Sequence, residues 1–134
     1  MSNKKIKATV CAIIQDEDGK ILLGYRNGKN YPDEWDLPGG KLEFQEEPRS
    51  ALVREVKEET NLDVEIVEEL HYINVISGEN HFIVLPYKVK IKEESDDYNN
   101  NEPNKHEKFE WFELSDLPSP LLLSAQSILE KLYK

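Results

Sequence analysis

Glu55, Glu58 and Glu59 fall at positions i, i+3 and i+4 of a stretch with helical character, which puts their carboxylates on one side of adjacent turns. Like charges at that spacing repel, and nothing in folding rewards the cluster unless a cation neutralises it. Ligands that are oxygen only select hard ions, Mg²⁺ or Mn²⁺, over zinc. Arg54 directly precedes Glu55, and Glu46 lies eight residues before Arg54, a pairing able to fix the orientation of a ligand. The Gly39-Gly40 bend lets a bare backbone carbonyl reach the same ion. The alternative for a glutamate triplet is a solvated acidic face with Arg54 and Lys57 as ordinary salt-bridge partners.

The elements that must carry these residues are legible in outline. Pro48 suits a first helical turn, Ala51, Leu52, Val53 and Val56 make an apolar stripe, and Asn61 is a left-handed cap, so a helix is predicted over 48–60. Residues 6–14 and 20–26 read as the strands of an opening hairpin across Asp16-Glu17-Asp18-Gly19. Strands are expected at 62–76 and 81–91, with Pro86 marking an edge or a bulge in the second. Residues 93–108, rich in Asn, Asp and Glu, predict a surface loop, followed by a short strand at 109–114 and a helix from about 121 to 132. Hairpins mixed with two helices point to an α/β (α+β) fold, a mixed sheet covered by helices on its faces.

A chain of 134 residues fits one domain, 1–134, around a single core. With 27 acidic against 17 basic residues the net charge is −10, which argues against binding a nucleic-acid polymer. The single cysteine, Cys11, excludes an internal disulfide and a zinc knuckle, and in its apolar strand it reads as a small core residue. The N-terminal apolar run is interrupted by Lys7 and Thr9 and reads as a strand rather than a leader, and no stretch reaches the length of a membrane span. A soluble cytoplasmic protein, monomer or homodimer, is the expectation. His71, His81 and His106 are too scattered to form a cluster, although His81 or His106 could lie near the active face.

The spacing Gly40, five residues, Glu46, seven residues, Arg54-Glu55-Val56-Lys57-Glu58-Glu59-Thr60-Asn61-Leu62 resembles the Nudix box. Every position of that 23-residue pattern is matched except one, where Asn61 stands for glycine. Asparagine is the next-best residue for a left-handed cap, so the departure bears on local stability. The similarity extends to Leu37-Pro38-Gly39-Gly40 and to Trp111-Phe112-Glu113-Leu114-Ser115-Asp116-Leu117.

The resemblance implies an α/β/α sandwich of Nudix type, hydrolysing a diphosphate linked to another group by Mg²⁺-assisted attack of water on phosphorus. It implies Glu55 and Glu59 as principal metal ligands, Glu58 as a ligand directly or through water, the Gly40 carbonyl completing the site, and Arg54 with Glu46 bracing the set. A carboxylate not saturated by metal would deprotonate the water. In several relatives a further glutamate from a facing loop serves as ligand or base, and of Glu107 and Glu110 the choice here is Glu107. By position, Arg26 and Lys41 would contact phosphates. The chain is similar to MutT-like nucleoside triphosphate diphosphatases around Asn80-His81-Phe82 and the segment from Asn101 to Trp111. That implies a small-molecule nucleotide substrate, cleaved to a nucleoside monophosphate and pyrophosphate, with its base held in an apolar slot. Tyr25, Trp35, Phe82 and the Pro120–Leu122 corner are candidates for that slot. The alternatives are a pyrophosphatase for ADP-ribose or other nucleoside diphosphate derivatives, and a non-catalytic nucleotide-sensing module.

Overall fold

The computed structural model describes residues 4–26 and 33–132. Its elements run β1 (Ile6–Gln15), β2 (Ile21–Arg26), β3 (Glu34–Asp36), β4 (Gly39–Lys41), α1 (Pro48–Thr60), β5 (Val64–Glu69), β6 (Ile73–Ser77), β7 (Asn80–Ile91), β8 (Lys108–Phe112) and α2 (Leu123–Leu132). The β-branched run of β1 is buried on both faces. Val10, Ala12 and Ile14 pack with Ala51, Leu52 and Val56 of α1, while Cys11 and Ile13 pack with Ala125, Ile128 and Leu129 of α2. Alternate side chains of one strand therefore seed two cores, and the helices cover opposite faces of the sheet. This is the mixed, helix-covered sheet that the sequence predicts. Among the described residues no helix is long and apolar enough to cross a membrane.

The sheet is organised around β1, which runs parallel to β7 from the Ile6–His81 pair to the Gln15–Lys90 pair. On its other flank β1 is shared. Its end meets β2 in the single pair Gln15–Ile21, while Thr9, Val10 and Cys11 pair with Lys41, Gly40 and Gly39 of β4. The expected hairpin exists only at its turn. The flank of β1 is taken by β4 and by the Pro38 carbonyl, which accepts the Ala12 N–H at 2.8 Å, and β2 leaves to join β3 and β8.

The run expected as one strand over 62–76 divides into β5 and β6, both antiparallel to β7. Pro86 lies opposite that division and not at an edge, because β7 is central. Its carbonyl accepts the Leu70 N–H at 3.0 Å, so its own nitrogen points toward the gap between β5 and β6, where no ladder bond is lost.

The polar segment after β7 is a strap laid over the C-terminal end of α1. The backbone N–H groups of Asn99 and Asn101 donate to the carbonyls of Thr60 and Glu59 at 2.9 and 3.1 Å, and the Asn101 side chain donates to that of Lys57 at 3.2 Å. Asn61 caps the helix with φ 67°, its N–H donating to the Lys57 carbonyl and its side chain to the Asp97 carbonyl. The polar composition that predicts a surface loop thus also supplies the donors that the last carbonyls of α1 need.

Candidate active site

The helical spacing of Glu55 and Glu59 turns both carboxylates inward onto β4, and both are buried. Glu59 is fully enclosed; its Oε1 accepts the Gly39 N–H at 2.8 Å and its Oε2 has no hydrogen-bond partner. Glu55 lies against Gly40 so closely that a β-carbon there would land on its carboxylate, and its Oε2 is likewise buried and unpartnered. Gly39 is packed equally tightly, against the backbone of Val10 and Cys11. Two buried carboxyl oxygens without hydrogen-bond partners are costly and ask for one.

Arg54 orders the rest of the cluster. Its Nε and Nη2 grip the two oxygens of Glu46 at 2.7 and 2.9 Å, and its Nη1 reaches Glu55 at 3.1 Å and both oxygens of Glu58 at 3.2 Å. The bidentate pair holds Glu46 below the ordinary carboxylate range and stabilises the guanidinium further. Glu58 is half exposed and turned toward Arg54. Among the described residues, no three acidic, histidine or cysteine side chains close around an ion by themselves.

Burial controls the electrostatics. It pushes Glu59 up to about 8, with the Glu55 charge adding to the shift and the Gly39 N–H opposing it. Glu55 is also raised by burial, against the pull of Arg54. A divalent cation beside these oxygens would supply the charge that the protein withholds, and the donor set of carboxylates and the bare Gly39–Gly40 backbone fits a hard ion.

Arg26 at the end of β2 lies 3.8 Å from Asp36 and donates from Nε to His106 Nε2 at 3.4 Å. His106 is buried, with Nδ1 3.5 Å from Glu59 Oε2, and burial drives its imidazole down to about 4. Burial likewise raises Asp36 to about 6, opposed by Arg26. Arg26 thus meets one edge of the His106 ring, and the other edge faces Glu59.

The other expected contacts are dispersed. Lys41 pairs in register with Thr9, and Phe82 with Lys7, which places both on the face carrying Cys11 and Ile13, opposite Gly40 and α1. The Phe82 ring is half-buried, with the Lys7 ammonium 5.9 Å from its centroid. Glu107 is exposed, and its backbone N–H donates to the Tyr25 carbonyl at 2.9 Å. On the same loop it is Glu102 that carries a buried, unbonded oxygen, with the Lys105 ammonium 3.7 Å away. Trp35 is core, its ring 5.1 Å from that of Tyr25 and 4.9 Å from that of Phe112. Sequence reasoning missed Asp36, and also Lys105, whose charge acts on both Glu55 and Glu59; it placed His106 near the active face, where the structure has it, without assigning it a partner. Spacing carries no signal for a histidine 47 residues beyond the carboxylate it faces.

Comparison with known proteins identifies the family and the fold. A model of the NUDIX domain matches residues 5–133. Diphosphoinositol polyphosphate phosphohydrolase 2 of Homo sapiens is 32% identical over 113 residues, 84% of this chain and 59% of that protein. The chain thus spans about 60% of the length of the curated relatives it matches. The crystal structure of a MutT NUDIX hydrolase from Burkholderia pseudomallei superposes with a TM-score of 0.84 at 32% identity, covering 94% of this chain and 97% of that one. A MutT protein structure from Methanosarcina mazei Go1 shares the fold, with a TM-score of 0.83 at 24% identity, covering 98% and 95%. Enzymes of this group generally use divalent metals. On the family model and the aligned structures, the chain belongs to the Nudix family of hydrolases.

Proposed function

We propose that the chain is a Mg²⁺-dependent hydrolase of nucleoside triphosphates, releasing a nucleoside monophosphate and pyrophosphate. The observation that carries the reading is the pair of buried, donor-less oxygens on Glu55 and Glu59 facing the Gly39–Gly40 backbone. Glu55 and Glu59 would hold the ion, with Glu58 joining directly or through water, and Mn²⁺ suits the same donors. The Gly40 carbonyl expected to complete the set belongs to the hydrogen-bonded pair with Val10 and faces β1, whereas the peptide groups of Gly39 turn toward the carboxylates. When bound, the ion neutralises the diphosphate and polarises the phosphoryl group under attack.

The chain's own groups do the remainder. Arg54, locked to Glu46, fixes Glu55 and Glu58 at the rim. A carboxylate of the cluster left free of metal accepts the proton of the attacking water. Arg26 and Lys105, whose charges act at Glu59, would bring positive charge toward the phosphates of the substrate. Adjacent residues of β4 face opposite sides, Gly40 toward α1 and Lys41 toward the Phe82 side. A substrate wrapped over this strand has its phosphates by the carboxylates, Lys41 along its length and its base toward Phe82.

The likeness to a MutT hydrolase at 32% identity supports a triphosphate substrate. The curated relatives are named for diphosphoinositol polyphosphates. A ligand so densely charged asks for a basic surface, whereas this chain carries −10. Mg²⁺-dependent product analysis over canonical and oxidised nucleoside triphosphates, ADP-ribose, dinucleoside polyphosphates and a diphosphoinositol polyphosphate tests the reading. Pyrophosphate and monophosphate from triphosphates are expected. Turnover confined to one of the other compounds would replace the substrate, and saturable binding without turnover would make the chain a nucleotide sensor.

A further inference from the structure

The geometry points to His106 as a positioning residue that holds Glu59 Oε2 through an Nδ1–H donor, with the opposite ring nitrogen braced by Arg26. Both atoms of the pair are buried and without a hydrogen-bond partner, and they face each other at 3.5 Å. One proton between them satisfies both, and a closure of a few tenths of an ångström makes the bond, as catalytic hydrogen bonds that are long in unliganded enzymes do on loading. The proton's location follows from the other side of the ring. Arg26 Nε–H can only donate, so the Nε2 atom that it meets at 3.4 Å must present a lone pair. A neutral imidazole with Nε2 unprotonated carries its hydrogen on Nδ1, toward Glu59.

The ring has no freedom to turn away. It lies 4.6 Å from the Phe109 ring, and on its other edge it fills the space beside Gly24, where a β-carbon would meet His106 Cδ2 at 2.7 Å. The backbone on either side is tied down as well: the His106 N–H donates to the Glu102 carbonyl at 3.2 Å, and the His106 carbonyl accepts from the Asn100 side chain at 3.0 Å. A strand glycine, an aromatic ring, an arginine and the strap thus fix one imidazole in one orientation. With Gly39 N–H on Oε1 and His106 on Oε2, Glu59 would have one donor on each oxygen, and both of its remaining lone pairs would be set in direction.

The inference rests on Glu59 as a ligand of the proposed metal site. Long-range ¹H–¹⁵N correlation of the imidazoles in the unmodified, metal-free protein should show His106 protonated at Nδ1 and bare at Nε2. The opposite tautomer would overturn the assignment. Function is read with two variants of near-equal polarity: His106→Asn puts an amide N–H near the place of Nδ1, and His106→Gln puts one near the place of Nε2. Mn²⁺ affinity by titration and kcat with Mg²⁺ should stay within about threefold of the unmodified protein for His106→Asn and fall by roughly tenfold or more for His106→Gln, at comparable Tm. Equal losses in the two variants, while Glu59→Gln still weakens Mn²⁺ binding, would discard the His106 role alone. Unchanged Mn²⁺ affinity in Glu59→Gln would instead remove the metal-site reading beneath it, whatever the tautomer.

Discussion

The carboxylate of Glu55 lies against the α-carbon of Gly40, in the space that a β-carbon would occupy. Gly40→Ala should therefore displace the end of one flexible side chain and leave the backbone in place. A ligand misplaced by about an ångström loses on the order of a hundredfold in rate. We expect kcat/KM to fall by about that factor with Tm changed by only a few degrees. Gly39→Ala makes the contrast, because its β-carbon would run into the backbone carbonyl of Val10, which cannot move aside. That variant should lose roughly 3 kcal/mol of stability, measured by urea unfolding.

Glu59→Gln keeps the volume of the side chain and removes its charge, so the protein should fold and lose turnover by orders of magnitude. Stability makes a second test. Burial raises Glu59 from 4.5 to about 8 in the folded state, so its contribution is complete below about pH 4.5 and is lost as pH rises through 8. His106, lowered from 6.5 to about 4, acts oppositely and loses its contribution as pH falls through that window. Between pH 6.5 and 8 the effect of Glu59 stands clear: Tm of the metal-free protein should fall with rising pH. Glu59→Gln should flatten that slope, and added Mg²⁺ should oppose it. A Tm independent of pH in that range would reject the buried, protonatable Glu59.

Arg54→Lys retains a positive charge and loses the planar fork that holds Glu46 at two points while touching Glu55 and Glu58. Outer partners of metal ligands are worth roughly 10- to 100-fold in affinity or activity, and this is the expected loss in kcat/KM. A lysine variant with normal turnover would show that charge alone is needed.

The cap of α1 can be tested apart from the chemistry. Asn61 holds φ 67° and its side chain donates to the Asp97 carbonyl at 2.9 Å. Asn61→Ala should cost about 1 kcal/mol, since alanine tolerates the left-handed region poorly and lacks the donor. Asn61→Gly, which restores the residue of the family pattern, should come within about 0.5 kcal/mol of the unmodified chain because relief of strain offsets the lost hydrogen bond. Chemical denaturation of the two variants separates backbone strain from the strap contact.

What could be read from the sequence was whatever depends on short range. The α1 span, its Pro48 start and its Asn61 stop follow from residues within one helix, and they appear in the structure as expected. The Arg54–Glu46 pair, eight residues apart, was also within reach. Long-range choices were not. Nothing local says that β4 will displace β2 from the flank of β1, or that Pro86 will sit opposite a gap in the neighbouring strands. For the same reason the placement of Lys41 and Phe82 across the sheet from the carboxylates is a property of register, which no motif encodes. His106 reaches Glu59 only because β8 pairs with β2 and the strap closes over α1.

The parallel ladder between β1 and β7 also dictates when the molecule can exist. Every rung, from Ile6–His81 to Gln15–Lys90, joins residues 75 positions apart. Pairing at such separations closes large loops before it gains contacts, and chains of this kind complete folding in about milliseconds to seconds rather than microseconds. During synthesis the acidic helix leaves the ribosome on the order of seconds before the strand that completes its platform. A nascent chain that has reached only α1 therefore bears its glutamates in water, each with an ordinary affinity for protons and a weak one for metal. Only when β7 docks, and the strap after it crosses the helix end, are Glu55 and Glu59 driven into a dry setting, with Glu58 left at the rim. Catalytic competence would then arrive with the last third of the chain and in one step.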